Sequence, residues 1–206
     1  PWNHGGWNAR EGRTLGNIDF GSATSKHFRD SIQAPFFAYY LKDRGALRQP
    51  EAMVFEGGAN AWRSYDAWPP KQNMSPRQLY FRENGKLSFD APTASACATR
   101  ASCADAYVSD PAHPVPYTED VHFNRTRNYM TDDQRFAERR PDVLTYKTEI
   151  LKNDITLGGP VIADLLVSLS STDADFVVKL IDVFPDTLSY QRVDIYASAD
   201  PERIYP

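Results

Sequence analysis

The residues best suited to chemistry in this chain are its four histidines and two cysteines. His4 lies in the run PWNHGG, and by residue type alone a lone histidine in such a place is expected on the surface. His27 falls on the polar face of a predicted helix. His113 and His122 lie in a polar stretch without zinc-ligand spacing, so we expect them to be solvated. The sequence predicts no cofactor and no metal site.

Cys97 and Cys103 are the two cysteines, six positions apart. Two cysteines do not make a disulfide framework. They are either two free thiols in a loop or a local disulfide formed in an oxidising compartment. The sequence leaves both readings open.

Composition excludes some classes of protein. The 206 residues carry 23 Lys and Arg against 27 Asp and Glu, for a net charge of −4. A nucleic-acid binder would usually show a concentrated basic patch, which this chain lacks. No apolar run approaches the ~18 residues that span a membrane. The first residues contain neither an initiator Met nor a signal-peptide core, so we expect a fragment or a processed product.

The first quarter of the chain predicts a loop over 1–24 and a helix over 25–42. We expect Pro35 to kink or restart that helix, and Gly45 and Pro50 to close it. Its predicted apolar face consists of Phe28, Ile32, Phe36, Tyr39 and Tyr40.

After Pro50, short strand-like runs alternate with turn residues, which is typical of a β-sandwich or jelly roll. Asn84-Gly85 is a hairpin signal. We place a domain boundary near Leu47–Glu51, and we expect the polar, Pro-rich stretch 90–142 to wrap a surface. The predicted strands are 52–56, 78–82, 87–89, 143–148, 160–170 and 175–183.

Eight segments in order resemble the α-amino acid ester hydrolases, a serine-hydrolase group that also includes cocaine esterases, glutaryl acylases and X-Pro dipeptidyl peptidases. They span positions 1 to about 186. The segments are PWNHGG (1–6), PFFAYYLK (35–42), EGGANAWR (56–63), AWPP (67–70), YVSDPAHPVPY (107–117), DDQRF (132–136), RPDVLTY (140–146) and VKLIDV (178–183).

The resemblance implies a mainly β chain, in which the last loop and helix of an α/β-hydrolase domain (1–46) precede a jelly-roll β-sandwich (47–206). It implies a Ser-His-Asp mechanism with His4 as the general base. The chain contains no Gly-x-Ser-x-Gly, and in the family the nucleophile and the triad aspartate precede the His motif. We therefore expect this chain alone to be inactive. The resemblance also implies that a family segment is missing near 187–190.

The resemblance further implies a small-molecule ester or amide substrate, export to the periplasm or outside the cell, and a homo-oligomer.

Trp62 and Trp68 either line a substrate pocket or pack between the two domains. Asp132 and Asp133 either form an ammonium site or a solvated acidic turn paired with Arg135.

Two other functions remain open at the level of sequence. One is a β-sandwich module binding carbohydrate or another ligand, with Trp62 and Trp68 as an exposed stacking platform. The other is a scaffold, for which exposed apolar surface around 25–45 would be the sign.

Overall fold

A helix in three parts organises the first fifty residues. The computed structural model describes residues 1–9, 11–93, 103–121, 123 and 128–185. The helix begins with α1 (Thr24–His27), widens to a π-helical segment (Phe28–Gln33) and continues as α2 (Ala34–Lys42). The predicted helix over 25–42 is confirmed.

Pro35 accounts for the π-helical segment that precedes α2. It lies at the start of α2, has no N–H to donate, and its ring would collide with the carbonyl four residues earlier. The preceding segment uses i→i+5 hydrogen bonding, as when the Ala34 N–H binds the Arg29 carbonyl, and the α-helix restarts after it. Asp43, at φ 48°, ends the helix in the left-handed conformation, two residues before the predicted Gly45.

Three separate antiparallel hairpins supply the β structure. The first pairs β1 (Thr14–Leu15) with β2 (Ile18–Asp19), within the stretch predicted as loop. The second pairs β3 (Ala52–Glu56) with β4 (Ala61–Tyr65), with Phe55 opposite Trp62. The third pairs β5 (Tyr80–Arg82) with β6 (Lys86–Ser88). The strand prediction at 52–56 and the Asn84-Gly85 hairpin are confirmed.

The core is small and aromatic, and it lies between the helix and the second hairpin. Phe20, only 6% exposed, meets Phe55 with ring centroids 5.3 Å apart. Phe55 packs on Trp62 at 5.4 Å, and Trp62 packs on Trp2 at 6.0 Å. Offset and edge contacts of this kind add to the free energy gained by burying the rings.

Residues 143–185 differ from the prediction. Lys147 forms a parallel bridge to Lys86, but the predicted strands at 160–170 and 175–183 pair with no described residue. The prediction of paired strands there is wrong for this structure. A strand buried on both faces needs neighbours on both faces, whereas Ile162 and Leu166 are 81% and 99% exposed. The described sheets have two strands each, so the jelly roll is not formed among them.

The described part of the excursion 90–142 lies mostly on the surface, as predicted. Thr118 donates to Asp132 at 2.7 Å, and a short helix α3 (Arg135–Glu138) follows. The Arg140 guanidinium binds Asp142 at 2.7 Å and the His113 carbonyl at 3.1 Å. In the described ranges, no helix has the length and apolar content needed to cross a bilayer.

Gly85→Ala should destabilise the chain by about 1–3 kcal/mol. Gly85 has φ 67°, and an added Cβ would lie 2.9 Å from the Thr145 carbonyl oxygen. Urea unfolding would measure the loss. Gly57→Ala is the matched control, because a Cβ there meets nothing within 4 Å. Equal free energies of unfolding for the two variants would contradict this account of the turn.

Tyr146 should titrate later than an ordinary tyrosine. Its pKa is raised to about 12, chiefly by burial and secondarily by the 2.5 Å hydrogen bond that its hydroxyl donates to Asp105. Since the folded-state pKa lies above the unfolded value of about 10, its stabilising contribution is complete below pH ~10 and is lost as pH rises through ~12. Phenolate absorbance should lose this late step in Tyr146→Phe and keep it in the control, Tyr107→Phe.

Candidate active-site loop

His4 lies at the tip of a tight turn. The Gly6 N–H binds the Asn3 carbonyl at 2.9 Å, which closes a four-residue turn with His4 and Gly5 at its centre. Gly5 has φ 77° and ψ −5°, the values of the third position in a type II turn, where glycine is favoured. The His4 side chain is exposed.

The elements behind the loop hold it from several sides. The Trp2 indole N–H donates to the Thr24 hydroxyl at 2.8 Å, and the Ser25 hydroxyl donates to the Gly6 carbonyl at 2.9 Å. Arg29 donates to the Trp7 carbonyl at 2.8 Å and also to the Ala9 carbonyl. The helix therefore fixes the backbone that carries His4.

The exposed imidazole of His4 has one ring neighbour among the described residues. Among the described residues it makes no hydrogen bond or ion pair, and its ring meets Trp7 edge-on at 6.1 Å. A histidine general base needs a nucleophile and an orienting carboxylate. Neither lies against His4 within the described part of the chain.

The two predicted pocket tryptophans have different surroundings. Trp62 is half-buried and packs on Trp2, Phe55 and, at 5.2 Å, His27. It therefore joins the residue 1–28 segment to the second hairpin. Trp68 is 46% exposed and contacts Tyr65 at 5.4 Å.

A solvent-open cleft of about 450 Å³ lies beside the aromatic core. Its walls include Trp2, Phe28, Ile32, Gln49, Phe55 and Trp62. The Gln49 amide donates to the Ile32 carbonyl at 2.7 Å, which ties the stretch after the helix to the helix itself. His4 and Trp68 do not line this cleft, so the three predicted site residues are not brought to one place.

The other candidates pair locally. Arg135 binds Asp133 through Nε at 2.7 Å, and this hydrogen bond holds the pKa of Asp133 below its usual range. This pairing is that of the solvated acidic turn, one of the two readings that the sequence left open. The exposed His113 ring lies 2.7 Å from Asp110, whose pKa is lowered chiefly by that contact.

Cys103 is disulfide-bonded, while Cys97 and His122 lie outside the described residues. Within the described ranges no three His, Cys, Asp or Glu side chains cluster as metal ligands.

Comparison with known proteins assigns the family. The pattern of the X-Pro dipeptidyl-peptidase C-terminal non-catalytic domain matches residues 44–203. The chain belongs to this family. The helix and the His4 loop lie before the matched range.

Individual relatives are ester and peptide hydrolases. The chain is 33% identical to cocaine esterase from Rhodococcus sp. (strain MB1 Bresler), over 90% of this chain and 33% of that enzyme. It is 34% identical to an α-amino acid ester hydrolase structure with TM-score 0.65, over 77% of this chain and 26% of the other. An aminopeptidase from a marine sediment Thaumarchaeota archaeon is 41% identical with TM-score 0.63, over 74% and 24% of the two chains.

These matches confirm the resemblance stated from the sequence motifs. The chain spans about a third of the length of the curated relative and about a quarter of the two structures.

Trp62→Ala should cost about 2–3 kcal/mol of folding stability, because it removes a half-buried indole from the aromatic core. Trp68→Ala, the control, should cost about 1 kcal/mol or less. Chemical denaturation followed by far-UV circular dichroism would compare them. A Trp62→Ala variant of unchanged stability that had lost binding to a polysaccharide would contradict the packing role and support a stacking platform.

Proposed function

We propose that this chain is the C-terminal part of a serine hydrolase that cleaves α-amino acid esters or β-lactam-type amides. The observation that carries the proposal is the exposed His4 at the tip of a turn anchored on both sides. Membership of the non-catalytic domain family and the 33–41% identity to hydrolases support it.

In this mechanism His4 takes the proton from a serine hydroxyl as that oxygen attacks the substrate carbonyl carbon. It then gives the proton to the leaving alcohol or amine, and an acyl-enzyme remains. Water, or an amine acceptor, repeats the cycle and releases the acyl group. The serine and the aspartate that orients His4 come from polypeptide outside this sequence.

The proposed division places 1–46 at the end of an α/β-hydrolase domain and 47–206 in a jelly roll, with a family segment missing near 187–190. The surface of α2 supports the first part. Phe36, Phe37 and Tyr39 are each more than 40% exposed, and Tyr40 and Leu41 are 59% and 73% exposed. Apolar surface of this kind marks an interface, which the rest of the hydrolase domain would cover.

We further propose export to the periplasm or outside the cell, and assembly as a homo-oligomer. The disulfide at Cys103 supports export, since disulfides persist in oxidising compartments. The exposed face of α2 is also the feature expected of a scaffold that holds a subunit interface.

A carbohydrate-binding platform is not favoured. Such a platform exposes its aromatic rings side by side to stack on sugars, whereas Trp62 is packed into the core and Trp68 lies on Tyr65.

The isolated chain should show no turnover of an α-amino acid p-nitrophenyl ester and no labelling by a fluorophosphonate probe. In the longer protein that carries this sequence, His4→Ala should lower kcat by about 1,000-fold or more, with KM little changed, because the proton acceptor is lost.

The control is His113→Ala, which removes an exposed histidine distant in sequence from the loop and should leave kcat unchanged. Hydrolysis by the isolated chain that disappears in His4→Ala would overturn the proposal that the nucleophile lies elsewhere. Equal kcat for His4→Ala and His113→Ala in the longer protein would overturn the role of His4.

A further inference from the structure

Two adjacent hydroxyl side chains at the start of α1, Thr24 and Ser25, are completely buried. A buried hydroxyl without a hydrogen-bond partner would cost about 1–3 kcal/mol, so these side chains need fixed partners. Among the described residues, the partners of these two hydroxyls are Trp2, Gly6 and Gly12, which lie near His4 in the sequence.

The partners bracket His4 in the sequence. Thr24 accepts from the indole of Trp2 at 2.8 Å, two residues before His4. Ser25 donates to the carbonyl of Gly6 at 2.9 Å, two residues after it. One hydroxyl therefore holds each flank of the turn.

The same pair also holds Glu11 and Gly12, farther along the chain. Thr24 donates to the Gly12 carbonyl, and the Ser25 N–H donates to the Glu11 carbonyl at 2.9 Å. Gly12 has φ 65°, and a Cβ there would lie 1.8 Å from the Ser25 hydroxyl oxygen. The approach is close enough that only glycine fits.

We infer that Thr24 and Ser25 are positioning residues for His4. They fix the position and orientation of the turn backbone. The turn in turn fixes the direction from which the imidazole approaches the serine hydroxyl. This inference rests on the proposed function. Ser25 is not itself a nucleophile, because it is buried and its hydroxyl proton is bound to the Gly6 carbonyl.

Thr24→Val keeps the size of the side chain and removes its two hydrogen bonds, and Ser25→Ala removes one. Thr24→Ser keeps the hydroxyl. Thr118→Val is the matched control, since Thr118 is 6% exposed and the hydrogen bond that its hydroxyl donates to Asp132 involves no residue of the loop that carries His4.

The first readout is amide hydrogen exchange of residues 3–9 in this chain, with the ring resonances of His4. Thr24→Val should speed exchange there by about 10-fold, and Ser25→Ala by about 5-fold, because lost hydrogen bonds lower the free energy of local opening. Thr24→Ser should stay within about 3-fold of wild type, and Thr118→Val should not change the loop. Should Thr24→Val fail to fold, Ser25→Ala and Thr24→Ser carry the test.

The second readout is kinetic, in the longer protein. Thr24→Val should lower kcat with KM unchanged, and Thr24→Ser should keep kcat near the wild-type value. A loss of global stability alone would instead lower the fraction of active enzyme, and Thr118→Val would then lower that fraction to a similar extent.

The outcomes separate the two proposals. Unchanged loop exchange in both Thr24→Val and Ser25→Ala overturns the positioning role, even if His4→Ala abolishes activity. A loosened loop with full activity in His4→Ala overturns the proposed function and, with it, any catalytic meaning of the positioning.

Discussion

The indole of Trp2 is the contact on which the described N-terminal structure depends. Its N–H binds Thr24 at the start of the helix, and its ring packs on Phe28 at 5.2 Å and on Trp62 at 6.0 Å. One side chain thus ties the His4 loop to the helix and to the hairpin that opens the matched domain. Because Trp2 is two residues from His4, the same side chain both positions the loop that carries His4 and packs in the aromatic core.

Local signals in the sequence predicted local structure well. Apolar spacing gave the helix, and Asn84-Gly85 gave a hairpin in which both residues take positive φ, 60° and 67°. The segments 160–170 and 175–183 show the limit. Their apolar character is typical of buried strands, but a strand exists only with a partner, and partners are set by long-range contacts that residue patterns do not encode.

The candidate site was predictable in one respect and not in another. The motif resemblance singled out His4. The aromatic character of Trp62 drew attention to that residue, and the sequence allowed either a pocket role or packing between the two domains. Thr24 and Ser25 were missed, since two small hydroxyl residues at the start of a helix ordinarily indicate only where it begins. Their burial depends on contacts with Gly6, Glu11 and Gly12, which a linear pattern does not show. The neighbouring glycines were the available signal, because Gly6 and Gly12 leave room for close backbone approach.

The π-helical segment Phe28–Gln33 also determines how the two ends of the helix are rotated relative to each other about the helix axis. It separates Thr24 and Ser25, which hold the loop, from Phe36 to Leu41, which form the exposed aromatic face. Removing one residue from the segment would turn everything after it by about 100° relative to the buried hydroxyls. Length changes in this stretch should therefore survive in evolution only when the aromatic pattern shifts by the same number of positions, so that the two faces keep their mutual orientation.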